Sequence, residues 1–251
     1  GDIAEVNLED KIVENVKKRD NLLMRPKVAN VQQVIVLHSL KNPPIEERLL
    51  DRFILMVESS ALKPLIVFNK TDLVDNLAEY KEKLSTYQEI GYDTFYISAK
   101  QHRGLDKLYA KLKNNITVIA GPSGSGKSTL INSIVEDVKL PTREVSDKLK
   151  RGKHTTTHVE LIPLLSKGYV ADTPGFSSIN IENIESSDLK YYFPEFEEYE
   201  NKCKFSTCSH IHEPGCKVKK ALKEGRISEK RYNSYKDIYD ELQQKEDDLY
   251  G

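Results

Sequence analysis

One stretch, residues 116–130 (ITVIAGPSGSGKSTL), limits the folds open to this chain more than any other. Ile116-Thr117-Val118-Ile119-Ala120 is a short apolar run rich in β-branched residues, which predicts a buried strand. Gly121-Pro122-Ser123-Gly124-Ser125-Gly126-Lys127-Ser128 then meets the phosphate-loop pattern G-x-x-x-x-G-K-[ST] at every fixed position. Leu130, Ile131, Ile134 and Val135 recur at helical spacing behind it. A strand that turns into a helix through glycines points successive backbone N–H groups at one spot. The helix N-terminus adds partial positive charge there, so the oxyanions of a nucleotide are the ligand such a turn suits. Lys127 is placed to reach the β- and γ-phosphates, and the Ser128 hydroxyl, with Thr129 beside it, to meet Mg²⁺. The motif asks for a nucleotide without naming the base.

The rest of the chain fits an α/β sheet around that loop. Residues 34–37, 65–68 and 94–97 are short apolar runs, whereas 45–57, 77–90 and 105–112 repeat at helical spacing, the second ending at Gly91 as a C-cap. Such alternation predicts a mostly parallel sheet covered by helices. Residues 158–165 and 168–171 sit close enough to pair antiparallel. Residues 1–28 hold two or three strands, too few for a core of their own. Pro26 favours an extended residue before it and is expected to sit in a linker. Residues 141–153 (PTREVSDKLKRGK) are polar and basic without apolar periodicity, which predicts a mobile loop.

The base is specified elsewhere. Asn69-Lys70-Thr71-Asp72 follows a strand, and N-K-x-D at a strand end is what guanine recognition needs. The Asp72 carboxylate accepts from N1–H and the 2-amino group, which adenine does not present together. Asn69 is expected on the N7 side, and the Lys70 stem over the ring. Ser98-Ala99-Lys100 suits a backbone N–H donor to O6. Asp172-Thr173-Pro174-Gly175 offers a carboxylate to Mg²⁺ and a glycine N–H to the γ-phosphate, and Thr155 and Thr156 offer hydroxyls, that of Thr156 to the same ion. An ATP-dependent small-molecule kinase would share the phosphate loop but leave residues 69–72 without a use. The motifs together predict a GTP hydrolase. Their order is unusual, because 69–72 and 98–100 precede 121–128. That is a circular permutation, allowed when surface termini are joined and a surface loop is cut.

Two further sites come from composition. The net charge of −1 hides segregation: residues 182–200 carry seven acids against Lys190 alone, and 202–236 carry ten Lys/Arg against three acids. The second run is a phosphate-contact surface if the partner is a nucleic acid, and a solvated helical face if not. Cys203, Cys208, His210 and Cys216 have the spacing of a closed tetrahedral shell for structural zinc, with His212 a spare candidate. Three clustered cysteines cannot all pair as disulfides, so a reducing cytoplasmic setting is expected. No apolar run approaches the roughly 20 residues of a membrane span.

With these motifs in hand, the chain resembles the circularly permuted ribosome small subunit-dependent GTPase A family of bacteria and plastids. Arg25-Pro26-x-x-Ala29-Asn30, Leu50-Asp51-Arg52-Phe53, Gly152-Lys153-His154-Thr155-Thr156, Asp172-Thr173-Pro174-Gly175-Phe176 and the pattern from Cys203 to Cys216 match it. The resemblance implies the last strands of an OB-fold in 1–28, a permuted GTPase domain in 29–182 and a helical zinc domain in 183–251. It also implies late maturation of the small ribosomal subunit, with that subunit and its rRNA as partners. A monomer that uses GTP away from membranes is expected. Phe176 stands where many GTPases carry a water-orienting Gln, so basal hydrolysis should be slow. His154 is the nearest candidate for that work, alongside Lys127, Thr155 and Thr156. A GTP-gated RNA-binding switch with little catalysis is the alternative.

Overall fold

The β-branched runs line up as strands in one sheet. In the computed structural model the described residues are 1–24, 26–138, 159–164, 167–172, 181 and 184–250. The strands are β1 (Ala4–Asn7), β2 (Ile12–Val16), β3 (Leu22–Met24), β4 (Lys27–Ala29), β5 (Gln33–Ser39), β6 (Lys63–Asn69), β7 (Asp93–Tyr96), β8 (Ile116–Ala120), β9 (Glu160–Pro163) and β10 (Tyr169–Asp172). The helices are α1 (Glu47–Glu58), α2 (Leu77–Lys83), α3 (Ser85–Glu89), α4 (Asp106–Leu112), α5 (Lys127–Val138), α6 (Lys217–Lys223) and α7 (Glu229–Tyr250). Two units result, neither continuous in sequence: Gly1–Pro44, Leu62–Asp75 and Thr94–Ser178 form one, and Ile45–Ala61, Asn76–Asp93 and Ile179–Gly251 the other.

In the first unit the sheet runs β7-β6-β5-β8-β10-β9, with β5 parallel to both β6 and β8, β10 parallel to β8, and β9 antiparallel to β10. Every residue of β5 is buried, as a strand covered on both faces requires. Ile35, Leu37, Leu65 and Val67 of the sheet share one core with Leu108 and Leu112 of α4 and with Leu130 and Ile134 of α5. Each such side chain stabilises the unit by roughly 1.5–3 kcal/mol through burial. Strand order reverses between β5 and β8. In open α/β sheets that reversal leaves a crevice at the strand C-termini, where ligands bind.

Three expectations need correction. Pro26 lies not in a linker but in the tight turn of an antiparallel hairpin, where Met24 faces Lys27; the fixed φ of proline suits a turn as well as an extended link. The helix expected over 77–90 is two helices, broken at Leu84, which caps the first and opens the second. Leu84 is fully buried, so its side chain is anchored while the backbone changes direction. The spacing over 227–242 predicts a last helix ending near Leu242, and the helix instead runs from Glu229 to Tyr250. The β1–β2 hairpin forms as expected and buries little: Val6, Ile12, Val13 and Val16 remain exposed.

The second unit is organised around a buried cation. The Arg231 guanidinium donates to Asp51 Oδ1 at 2.7 Å and to Glu195 at 2.7 and 3.1 Å, and lies 4.6 Å from the Phe193 ring centroid. Tyr87 Oη donates to the same Asp51 oxygen at 2.9 Å. Burial pushes the Asp51 carboxyl up, against the pull of Arg231. Burial also opposes the Arg231 charge, and the two carboxylates overcome that opposition and keep it protonated. The pair ties α1 to α7, and Arg52–Glu241 (2.5 Å) and Arg48–Asp237 (3.1 Å) extend the seam toward solvent.

Candidate functional site

Three loops leave the C-terminal ends of β6, β7 and β8 in the first unit. The 121–128 loop follows β8, and α5 opens at Lys127, so strand, glycine turn and helix stand as the sequence requires. Ser123, Gly124, Ser128 and Thr129 are exposed on the loop, while Gly121 and Ser125 are buried beneath it. Gly126 has a φ of 99°, and a Cβ there would lie 2.4 Å from Asn69 Nδ2, so only glycine fits. Lys127 Nζ folds back onto the carbonyls of Gly121 (2.7 Å) and Pro122 (3.0 Å), and burial lowers its pKa. The neighbouring His38 is held down to about 3 by burial and then by the Lys127 charge, so its ring is neutral.

Asn69 joins the three loops. Its Nδ2 donates to the Ser125 carbonyl at 2.9 Å, and its Oδ1 accepts from the Ala99 N–H at 3.0 Å. Asn69 is the residue expected on the N7 side of the base, and the 98–100 turn is expected to donate a backbone N–H to O6. The Asn69 amide and the Ala99 N–H brace the phosphate loop against that turn, which leaves one Asn69 amide hydrogen and the Lys100 N–H for a base. Asp72 is oriented by Ser98, whose Oγ donates to Oδ1 at 2.5 Å, and Gln101 N–H donates to the same hydroxyl at 3.2 Å. Lys70 is left-handed (φ 64°, ψ 38°), and its Nζ donates to the Asn42 carbonyl. The motifs single out these residues but not these contacts, which arise only because the strand ends lie close together.

Asp172 closes β10 beside β8. His154, Thr155, Thr156 and Gly175, with Phe176 and the 141–153 loop, lie outside the described residues.

The second unit gathers Cys203, Cys208, His210 and Cys216, with ligand atoms all within 4.8 Å of one another, a set that can hold a metal ion. His210 Nδ1 lies 3.6 Å from Cys203 Sγ and 3.4 Å from Cys216 Sγ, and those two sulfurs are 4.0 Å apart. A tetrahedral shell with bonds of ~2.3 Å to sulfur and ~2.0–2.1 Å to nitrogen calls for separations of about 3.6–3.8 Å. The three separations among Cys203, His210 and Cys216 lie close to these values, and exposed His212 is not part of the cluster. Backbone N–H groups of Lys217 and Lys219 point at the Cys203 and Cys216 sulfurs at 3.2 and 3.4 Å, while burial pushes the Cys216 thiol up. Tyr232 and Tyr235 of α7 donate to the carbonyls of His210 (2.7 Å) and Ser209 (2.6 Å). The one-face spacing of Tyr232, Tyr235 and Tyr239 in the sequence predicts packing, and Tyr235 packs edge-on against Phe193 and Phe196. Among the described residues no helix is long and apolar enough to cross a membrane.

The family model described as RsgA GTPase matches residues 16–182. A protein of Clostridium botulinum (strain 657 / Type Ba4) named small ribosomal subunit biogenesis GTPase RsgA is 44% identical over 245 residues, 96% of this chain and 83% of that protein. One of the same name from Clostridium perfringens is 43% identical over 245 residues, covering 96% and 84%. The crystal structure of YjeQ from Thermotoga maritima superposes with a TM-score of 0.81 at 37% identity, covering 96% of this chain and 83% of that one. YloQ, described as a circularly permuted GTPase, superposes with a TM-score of 0.80 at 34% identity, covering 98% and 80%. With a phosphate loop that follows the 69–72 turn in sequence and meets it in space, the chain belongs to the RsgA GTPase family, hydrolases of GTP.

Proposed function

We propose that this GTPase acts in late maturation of the small ribosomal subunit and that the subunit stimulates its hydrolysis. The observation that carries the reading is the Asn69 brace, which sets the loop for phosphates and the turn for a base at one sheet edge. The names of its relatives supply the subunit. In this reading Asp72, held by Ser98, accepts from N1–H and the 2-amino group of guanine; the Lys70 stem covers the ring and Lys100 N–H meets O6. The N–H groups of 121–128 cradle the phosphates, with Lys127 moving from its carbonyls to the β- and γ-oxygens. Ser128, Thr156 and Asp172 are the residues that would hold Mg²⁺, which when bound neutralises charge between those phosphates. Zinc is the ion that suits Cys203, Cys208, His210 and Cys216, and four protein ligands give it a structural part. The division into 1–28 (last strands of an OB-fold), 29–182 and 183–251, the monomeric state and a cytoplasmic setting away from membranes belong to the same reading.

Phe176 cannot orient water, so the free protein should turn over slowly. Arg143, Lys148, Lys150, Arg151 and Lys153 offer positive charge to rRNA phosphates, and His154, Thr155 and Thr156 follow them directly in sequence. Phosphate release should therefore rise steeply with added small subunits and fall with salt. His154→Ala should remove most of the stimulation and leave GTP binding intact. If subunits do not raise the rate, Phe176 favours the second reading, a GTP-gated rRNA-binding switch.

A further inference from the structure

The turn after β5, residues 40–44, lies outside the phosphate loop and outside residues 69–72 and 98–100, yet touches two of the three. The Leu40 N–H donates to the Asn69 carbonyl at 3.0 Å, continuing the parallel ladder in which Ser39 faces Asn69. Ser39 Oγ donates to the Pro43 carbonyl at 2.7 Å and closes the turn. At its tip the Asn42 carbonyl accepts the Lys70 ammonium. Pro43 lies over the phosphate loop: a Cβ on Gly124, whose φ is 77°, would be 3.2 Å from Pro43 Cδ. Asn42 is itself left-handed, with φ 56°.

We propose that this turn is a wall of the base site, and that Asn42 is a positioning residue which fixes Lys70 for its place over the base. The inference rests on the reading of residues 69–72 as a guanine site. A lysine has four rotatable bonds, and ordering it only when ligand arrives weakens binding. A charge-assisted bond from Nζ to a carbonyl orders it beforehand, leaving the aliphatic stem stretched between the two ends of the site. The carbonyl points there because Asn42 occupies a region that few residues other than glycine and asparagine tolerate. Two left-handed residues, Asn42 and Lys70, face each other across one hydrogen bond, and such local strain is retained where the surroundings demand that geometry. The stem of Lys70 contacts the ring rather than the 2-amino group, so the turn governs how tightly a purine is held and leaves discrimination between guanine and hypoxanthine to Asp72.

The test is equilibrium binding of fluorescent GTP and ITP, with single-turnover hydrolysis and melting temperature on the same proteins. Asn42→Val puts a β-branched side chain at positive φ and should displace the carbonyl, weakening both nucleotides about tenfold in equal measure. Asn42→Gly accepts the same φ and should bind as the parent does. The hydrolysis rate at saturation should stay within about twofold for both variants, since only binding has changed. Added to Lys70→Ala, Asn42→Val should weaken binding no further, because the two residues act through one contact. A lowered melting temperature with parental affinity would make the turn purely structural and overturn the proposal, as would additive effects in the double variant. Asp72→Asn, assayed alongside, separates the two levels. If it still prefers GTP to xanthosine triphosphate, the guanine reading fails and takes this inference with it. If it switches as expected, a parental affinity in Asn42→Val removes the turn's role alone.

Discussion

The sheet edge and the unit that gathers the three cysteines and His210 are assembled by opposite means. At the edge, residues 69–72, 98–100 and 121–128 are joined by single hydrogen bonds from Asn69 and Ser98, and Ser123, Gly124, Ser128 and Thr129 face water. In the second unit a fully buried guanidinium has three of its nitrogens bonded to carboxylates and two aromatic rings beside it, and Cys203, Cys208, His210 and Cys216 are gathered within 4.8 Å. The first arrangement leaves backbone donors and side-chain ends for a ligand to complete. The second satisfies its central charges with protein groups rather than with a ligand. Substitutions at the edge should change what binds, and substitutions in the second unit should change whether it folds.

The largest expected effect tests the second half of that contrast. Cys208→Ala removes one of four metal-binding side chains, and in small metal-held modules the ion supplies an apparent ~10–16 kcal/mol of folding energy. Metal analysis should find one ion per chain in the parent and none in the variant. Hydrogen exchange should then show the 203–216 segment opened while GTP still binds. Protection unchanged in the variant would break the comparison.

Next is Arg231→Met, which leaves Asp51 and Glu195 buried without their cation and should cost about 3–5 kcal/mol of stability. A lower melting temperature with GTP affinity near the parent's is the expected pair of results; parental melting would show that the network is not fully desolvated.

Asp72→Asn belongs to the other side. It should lose ~2–4 kcal/mol of GTP binding and gain xanthosine triphosphate, with the melting temperature unmoved. A variant that melts early but keeps its base preference would mean the edge is as interlocked as the second unit.

The smallest effect is on pH. The Arg52 guanidinium, helped by Lys245, holds Glu241 down at about 2, below its usual 4.5. A carboxylate depressed in the fold contributes stability above its ordinary pKa, and that contribution disappears as pH falls from 4.5 toward 2. The pair is partly in water, so Glu241→Gln should flatten the acid limb of the melting curve only slightly. An unchanged limb would assign acid sensitivity to the buried network instead.

The parts legible in the sequence are those whose cause is local. Residues 116–120, 65–68 and 34–37 read as strands because β-branched runs end in turn residues, and the phosphate loop reads directly from its glycines. The cysteine spacing found the metal cluster and left only His212 to be excluded by its position. What stayed hidden depends on contacts remote in sequence. Arg231 and Asp51 are 180 positions apart and look like ordinary surface charges on two amphipathic helices. Asn69 carries a motif for the base, so its use as a brace appears only when Ser125 and Ala99 are seen beside it. The apolar spacing of Leu77, Leu84 and Tyr87 runs on through the break at Leu84, because Leu84 at the break and Tyr87 beyond it are both buried. Pro26 is ambiguous in principle, since one fixed φ serves a linker and a hairpin turn alike.

Arg231 also decides where this chain can be cut. A fragment starting at residue 183 would keep all four metal-binding side chains, Glu195 and the guanidinium, but would leave Asp51 behind in α1. Its complement would keep Asp51 and Tyr87 with no cation to face. A boundary drawn where the helical segment begins therefore splits an ion pair that neither piece can replace. The piece that respects the pairing takes residues 45–61 and 76–93 together with 179–251, joined by new linkers in place of the strands between them. Recombination that moves the metal-binding segment into another protein would have to carry α1 with it or supply a carboxylate at the same place.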